Sequence, residues 1–144
     1  MKVLISLVLL LGIVFSGCDE TDEINPTALA EVFCQNSSKT SVEIDLFNHG
    51  KQQLSVKIDT NSILKIDSGK FDNFGSTLKI PYLVDSAIFT FENGRKLTQI
   101  QTDTRIFSDS INCILNSFDY EKTYENNIEK WLFTLTQADY ERAE

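Results

Sequence analysis

The chain beyond its first eighteen residues predicts a mainly β protein: a single antiparallel β-sandwich, immunoglobulin-like or related, with a short C-terminal helix. Three observations predict it. From Ser41 onward, apolar and polar residues alternate with period 2, the pattern of strands that bury one face. The alternating runs are short, and clusters of Asn, Asp, Gly and Ser separate them at regular spacing. No long stretch with apolar residues every three or four positions competes as a helix.

Each element follows in order. Val42, Ile44 and Leu46 alternate with Ser41, Glu43 and Asp45, a half-buried strand. Asn48-His49-Gly50-Lys51 reads as a turn, after which Leu54, Val56 and Ile58 alternate with Gln53, Ser55 and Lys57. Asp59-Thr60-Asn61 breaks the chain again, and residues 63–66 predict a short strand ended by Asp67-Ser68-Gly69. Residues 70–76 read as a loop with Phe71 and Phe74 as buried plugs. A further strand is expected within 77–84, held to a sheet edge because Pro81 has no N–H for a ladder. Ala87, Phe89 and Phe91 lead into Asn93-Gly94, and residues 95–101 return; Asn-Gly suits a type I′ turn, which needs φ > 0 at both central positions. Residues 102–115 show no clear period. Phe118, Tyr120, Lys122 and Tyr124 then alternate, Glu125-Asn126-Asn127 turns, and Trp131, Phe133 and Leu135 line one face of the returning strand. Thr136-Gln137-Ala138-Asp139 fits a helix-start box, with a short helix through about Ala143.

The N-terminus is of a different kind. Lys2 precedes an apolar run over 3–15, broken only by Ser6 and Gly12, and small Ser16-Gly17 precede Cys18, the order of an export signal. The run holds about 13 residues against the roughly 20 that span a bilayer. The segment Phe15-Ser16-Gly17-Cys18 resembles the lipobox of bacterial lipoproteins, with Phe15 where Leu is usual. That resemblance implies cleavage before Cys18, lipid on its thiol and an acylated new N-terminus, so the membrane is a partner through Cys18. Several acyl chains give durable attachment where one alone is marginal. The expected organisation is a signal peptide over 1–17, lipidated Cys18 with an acidic tether over 18–33, and a β-sandwich domain over 34–144. The tether is polar and aperiodic, although Asn25-Pro26 offers a competing helix start through Ala30.

Composition narrows the function. Without residues 1–17 the chain keeps 127 residues, enough for one domain with a real core. Its 12 Lys and Arg stand against 21 Asp and Glu, a formal net charge of −9. No basic cluster exists to neutralise phosphates, so nucleic acid is not an expected partner. The acidity reads as solubility. Cys34 and Cys113 remain after Cys18; in an exported protein they form either a disulfide or two separate buried thiols.

No catalytic set stands out, and the chain is not expected to be an enzyme. His49 is the sole histidine and lies in a turn, with no further ligands at metal spacing, so neither a metal nor another cofactor is expected. A Ser/His/Asp set would have to use His49, and no G-x-S-x-G elbow occurs. The aromatic residues near the C-terminus read mainly as core, with Tyr124 and Trp131 the best candidates for a ligand-facing stack.

Three stretches carry a further resemblance. Cys18-Asp19-Glu20 places acids directly after the lipobox Cys. DSAIFTFENGRKL from Asp85 and WLFTLTQADY from Trp131 mark the C-terminal half. Together these resemble small uncharacterised lipoproteins of Bacteroidetes-type bacteria. The resemblance implies an outer-membrane lipoprotein, with the acids associated with the cell-surface face, and carries over no site except Cys18. The expected function is a non-catalytic binding or assembly module for an envelope protein or a glycan. The alternatives are a structural accessory subunit of a larger surface complex and, further off, a small hydrolase.

Overall fold

The computed structural model describes residues 28–72, 75–101 and 112–144. The signal segment 1–17, Cys18 and residues 19–27 lie outside the described residues, as do the side chains of Phe71 and Phe74.

Nine strands and one helix follow the chain: β1 (Ala28–Asn36), β2 (Val42–Asn48), β3 (Lys51–Ile58), β4 (Ile63–Asp72), β5 (Gly75–Ser76), β6 (Ser86–Phe91), β7 (Lys96–Ile100), β8 (Glu121–Glu125), β9 (Ile128–Leu135) and α1 (Gln137–Arg142). They form two sheets, ordered β5-β4-β1-β9-β8 and β3-β2-β6-β7. All neighbours are antiparallel except β1 and β9, which run parallel with Val32 opposite Trp131. The chain is thus mainly β and folds as a β-sandwich. Alternation does the work on both inner faces: Ala30, Val32, Cys34, Trp131, Phe133 and Leu135 meet Ile44, Leu46, Phe89 and Phe91 in one buried core.

Short connections align the ends of the two sheets. Residues 37–41 join β1 to β2 and residues 59–62 join β3 to β4 at the same upper pole. Asn36, fully buried, pins that pole. Its Nδ2 donates to Thr40 O (2.8 Å) and Ile58 O (3.2 Å), and its Oδ1 accepts from the Ser38 amide (3.0 Å) and hydroxyl (2.7 Å). The lower pole holds the start of β1, the end of β2, the end of β7 and the β8–β9 turn.

Several sequence expectations need correction. Residues 28–33, assigned to the tether, belong to β1, the central strand of the five-stranded sheet, so the domain begins at least six residues before Cys34. Neither a linker nor a helix occupies them, because Ala30 and Val32 pack into the core while the backbone bonds to β4 and β9. The short strand at 63–66 is the ten-residue β4, which runs straight through Asp67-Ser68-Gly69. Those residues are not a turn. The Asp67 carboxylate accepts the amides of Lys79 (2.6 Å) and Ile80 (3.1 Å), and Gly69 lets the Thr77–Leu78 backbone pass close by. Residues 77–84 form no strand; they cross from one sheet to the other, burying Leu78, Ile80 and Val84, with the Ile80–Pro81 peptide cis. The β6–β7 turn has positive φ at Gly94 and not at Asn93, with Gly94 N–H donating to Phe91 O (2.7 Å), so it is not type I′. The β8–β9 turn has positive φ at both Asn126 and Asn127 and takes that conformation instead. The helix is where the capping box placed it: Thr136 Oγ1 accepts the Asp139 amide, and the Asp139 carboxylate accepts the Thr136 amide.

Candidate functional site

The C-terminal aromatic residues separate into two groups. Tyr120, Trp131 and Phe133 are core: Tyr120 lies 5.9 Å from Trp131 and 5.6 Å from Phe133, ring centre to ring centre. The Tyr120 hydroxyl donates to Ile114 O at 2.5 Å, and burial holds its pKa well above the usual phenol range. Phe118 and Tyr124 instead face outward, 78 % and 64 % exposed.

This overturns Trp131 as a ligand-facing ring. It sits on the inner face of β9 and is fully buried. Lys122, its cross-strand neighbour on β8, holds its ammonium 3.9 Å from the Trp131 ring centre, a cation–π contact. The edge of Tyr82 packs against the same ring at 5.9 Å. Trp131 is therefore the support behind a surface. Tyr124 stands two residues further along β8, opposite Glu129, at the lower pole.

The surface in front of Trp131 is built from Tyr82, Ser117 and Phe118. The crossover 77–85 brings Tyr82 over the β9 face, and the Ser117 side chain hydrogen-bonds to it. Burial raises the Tyr82 pKa, partly offset by that hydrogen bond. Ser117 and Phe118 lie in a single 3-10 turn, residues 117–119, capped by Asn116, whose side chain accepts the Phe118 amide at 3.1 Å. The Asp119 carboxylate accepts the Cys113 amide (3.0 Å) and the Asn116 side-chain amide (3.1 Å), which fixes the turn from below. The result is an exposed Phe118 on a capped turn whose neighbouring Ser117 bonds to a half-covered Tyr82.

Sequence reasoning missed Tyr82 because residues 77–84 read as an edge strand. The one available signal was the unbroken apolar run Ile80-Pro81-Tyr82-Leu83, which does not alternate. Phe118 was counted with the core because the strand pattern was extended three residues too far toward the N-terminus.

Cys34 and Cys113 form no disulfide; of the two alternatives, the separate thiols hold. Cys34 is buried in β1, and burial, with the Asp139 carboxylate adding to it, pushes its thiol up to about 12. Cys113 is half-buried, and burial raises it too. Neither is a thiolate at neutral pH, so neither is poised as a nucleophile.

His49 lies near the lower pole, 3.7 Å from Asp85, with Ser86 next in sequence. The three residue types suggest a triad, but the wiring differs. The Ser86 hydroxyl donates to Asp85 Oδ1 (2.9 Å), and the His49 backbone amide donates to Asp85 Oδ2 (2.6 Å). These bonds, the His49 amide first, lower the Asp85 pKa. Asp85 thus ties the β2–β3 turn to the start of β6, and nothing here takes a proton from Ser86. Among the described residues no group of three or more His, Cys, Asp or Glu is placed to hold a metal ion. No helix among them is long and apolar enough to cross a membrane.

No protein-family model, curated protein or solved structure matches the chain.

Proposed function

We propose that the protein is a lipid-anchored component of the bacterial cell envelope, held by lipid on Cys18, and that its β-sandwich is a non-catalytic binding module for a glycan or an envelope protein. The observation that carries the binding half is Phe118, 78 % exposed on a capped turn whose Ser117 bonds to Tyr82, itself packed on the buried Trp131. Presenting a large aromatic to solvent on a fixed backbone turn gains nothing for the core. It suits a ring that stacks on a sugar face or fills a partner's pocket.

The anchoring half rests on the order of charge, apolar run, small residues and Cys18. Metabolic labelling with a fatty acid tests it: wild-type protein takes up label and floats with membranes, and Cys18→Ala protein does neither. The binding half is tested on a glycan array and with purified envelope proteins. Phe118→Ala should weaken binding of whatever the wild type retains by about tenfold or more, as for an interface anchor, with no change in thermal midpoint. Unchanged binding would move the site elsewhere. Stoichiometric co-purification with one envelope protein, untouched by Phe118→Ala, would favour the accessory-subunit reading.

A further inference from the structure

We propose that the lower pole of the sandwich rests on the lipid bilayer, with Leu29, Leu83, Ile100 and Tyr124 at the headgroup level, and that the upper pole points away from it. This rests on the lipid-anchor reading of Cys18.

Topology places these residues at one end of the sandwich. Leu29 opens β1 and pairs with Ile128 at the start of β9. Tyr124 lies one residue before the end of β8, on the same hairpin turn. Ile100 ends β7 opposite Ser86, and the next residue, Gln101, donates its amide to Asp85 O. Leu83 lies on the crossover that reaches Asp85, whose amide bonds to Phe47 O at the end of β2. Their exposures are 50 % for Leu29 and Leu83, 66 % for Ile100 and 64 % for Tyr124. Among the described residues, the large exposed hydrophobic side chains outside this set are Phe118 and Tyr82 on the flank and Ile63 and Leu64 at the start of β4. The upper pole otherwise presents the Asn36 network and α1.

The length of chain preceding β1 names the occupant. Nine residues, 19–27, separate Cys18 from Ala28. Fully extended they reach about 30 Å, so a lipid on Cys18 holds the start of β1 within that distance of the bilayer and brings this pole nearest to it. An apolar rim with one tyrosine on a short leash suits the interfacial zone, where amphipathic rings settle. The acidic balance of the chain makes the contact apolar and not electrostatic, so uncharged lipid suffices.

The test uses full-length lipidated protein on vesicles of phosphatidylcholine and phosphatidylethanolamine, with flotation as the check on anchoring. Hydroxyl-radical footprinting compares side-chain oxidation on vesicles with oxidation of the Cys18→Ala protein in vesicle-free buffer. Oxidation of Leu29, Leu83, Ile100 and Tyr124 should fall about fivefold or more on vesicles, as for side chains sunk into the interface, while Ile63 and Phe118 keep their rates. High salt should leave that pattern unchanged. The double variant Leu83→Ser, Tyr124→Ser should still float and should lose protection at Leu29 and Ile100. Flotation with equal oxidation at all six sites would overturn the proposal while leaving the anchor intact, as would protection that vanishes in salt. Failure of the wild type to float, with no lipid in its mass, would overturn the anchor and the proposal together.

Discussion

At the scale of single residues, a few buried polar side chains decide geometry that apolar patterning leaves open. Asn36 is the clearest. It carries four hydrogen bonds that join the end of β1 to the loop leading into β2 and to the end of β3, three of them buried and the one to Thr40 O partly so. Truncating it leaves Thr40 O, Ile58 O and the Ser38 donors without this partner, at about 1–3 kcal/mol for each group stranded. Asn36→Ala should therefore cost about 3 kcal/mol of stability, measured by urea unfolding; a loss within error of zero would show that water replaces the side chain at no penalty. Asp139 plays the corresponding part for α1, accepting from Thr136, Asn112 and Arg142. The capping box made Asp139 visible in the sequence, since Thr136 lies three residues before it. Nothing local marked Asn36, whose partners reach 22 residues away.

At the scale of elements, legibility followed how local the signal was. β2, β6 and β9 read correctly because each buries one row of alternate residues, and β3 because Leu54, Val56 and Ile58 alternate in sequence although only Ile58 is fully covered. β1 did not, because its outer row mixes Leu29 and Phe33 with Glu31 and Gln35, while Ala30, Val32 and Cys34 point inward. Apolar residues on the outer row blur the period-2 contrast by which a half-buried strand is read. β4 was cut short by Asp67-Ser68-Gly69, three residues with turn chemistry that serve a neighbour instead. A methyl group on Gly69 would lie 2.7 Å from Thr77 Oγ1 and 2.9 Å from both Thr77 C and Leu78 N. Two of those atoms are backbone and cannot rotate away. Gly69→Ala should thus destabilise the protein by about 1–3 kcal/mol, read as a lowered thermal midpoint, whereas Ala at Gly69 would stabilise an ordinary strand. The candidate surface was half legible: Phe118 and Tyr124 lay in the aromatic cluster, but the crossover that brings Tyr82 to Trp131 has no sequence period to read.

At the scale of the whole molecule, the core holds two ionisable groups in their neutral forms. Burial pushes Cys34 up to about 12 and raises Tyr120 well above its usual range. In the unfolded chain both ionise near ordinary values, about 8.5 for a thiol and about 10 for a phenol. Their contribution is therefore complete below those values and is lost as pH climbs toward the folded ones, so the sandwich weakens on the alkaline side. Cys34→Val removes one of the two and nearly conserves volume. Its alkaline unfolding midpoint, followed by circular dichroism, should move to higher pH while stability at pH 7 changes by less than about 1.5 kcal/mol. An unshifted midpoint would mean that Cys34 meets solvent before the fold opens.

The parallel pairing of β1 with β9 also fixes an order of events. β1 and β9 are the first and last strands of the described chain, yet they lie side by side in the middle of one sheet. That sheet closes only when the C-terminal segment is free of whatever it is being made or threaded through. The other sheet, β3-β2-β6-β7, draws on residues 42–100 and on two hairpins. Nearby contacts form sooner than distant ones because less chain entropy is lost in closing them. During refolding, pulse-labelled amides of β2, β3 and β6 should gain protection before those of β1 and β9. On the export proposed above, the first strand would stay unpaired on one side until the last has crossed the membrane, a window in which a carrier that shields an open strand edge would have work to do.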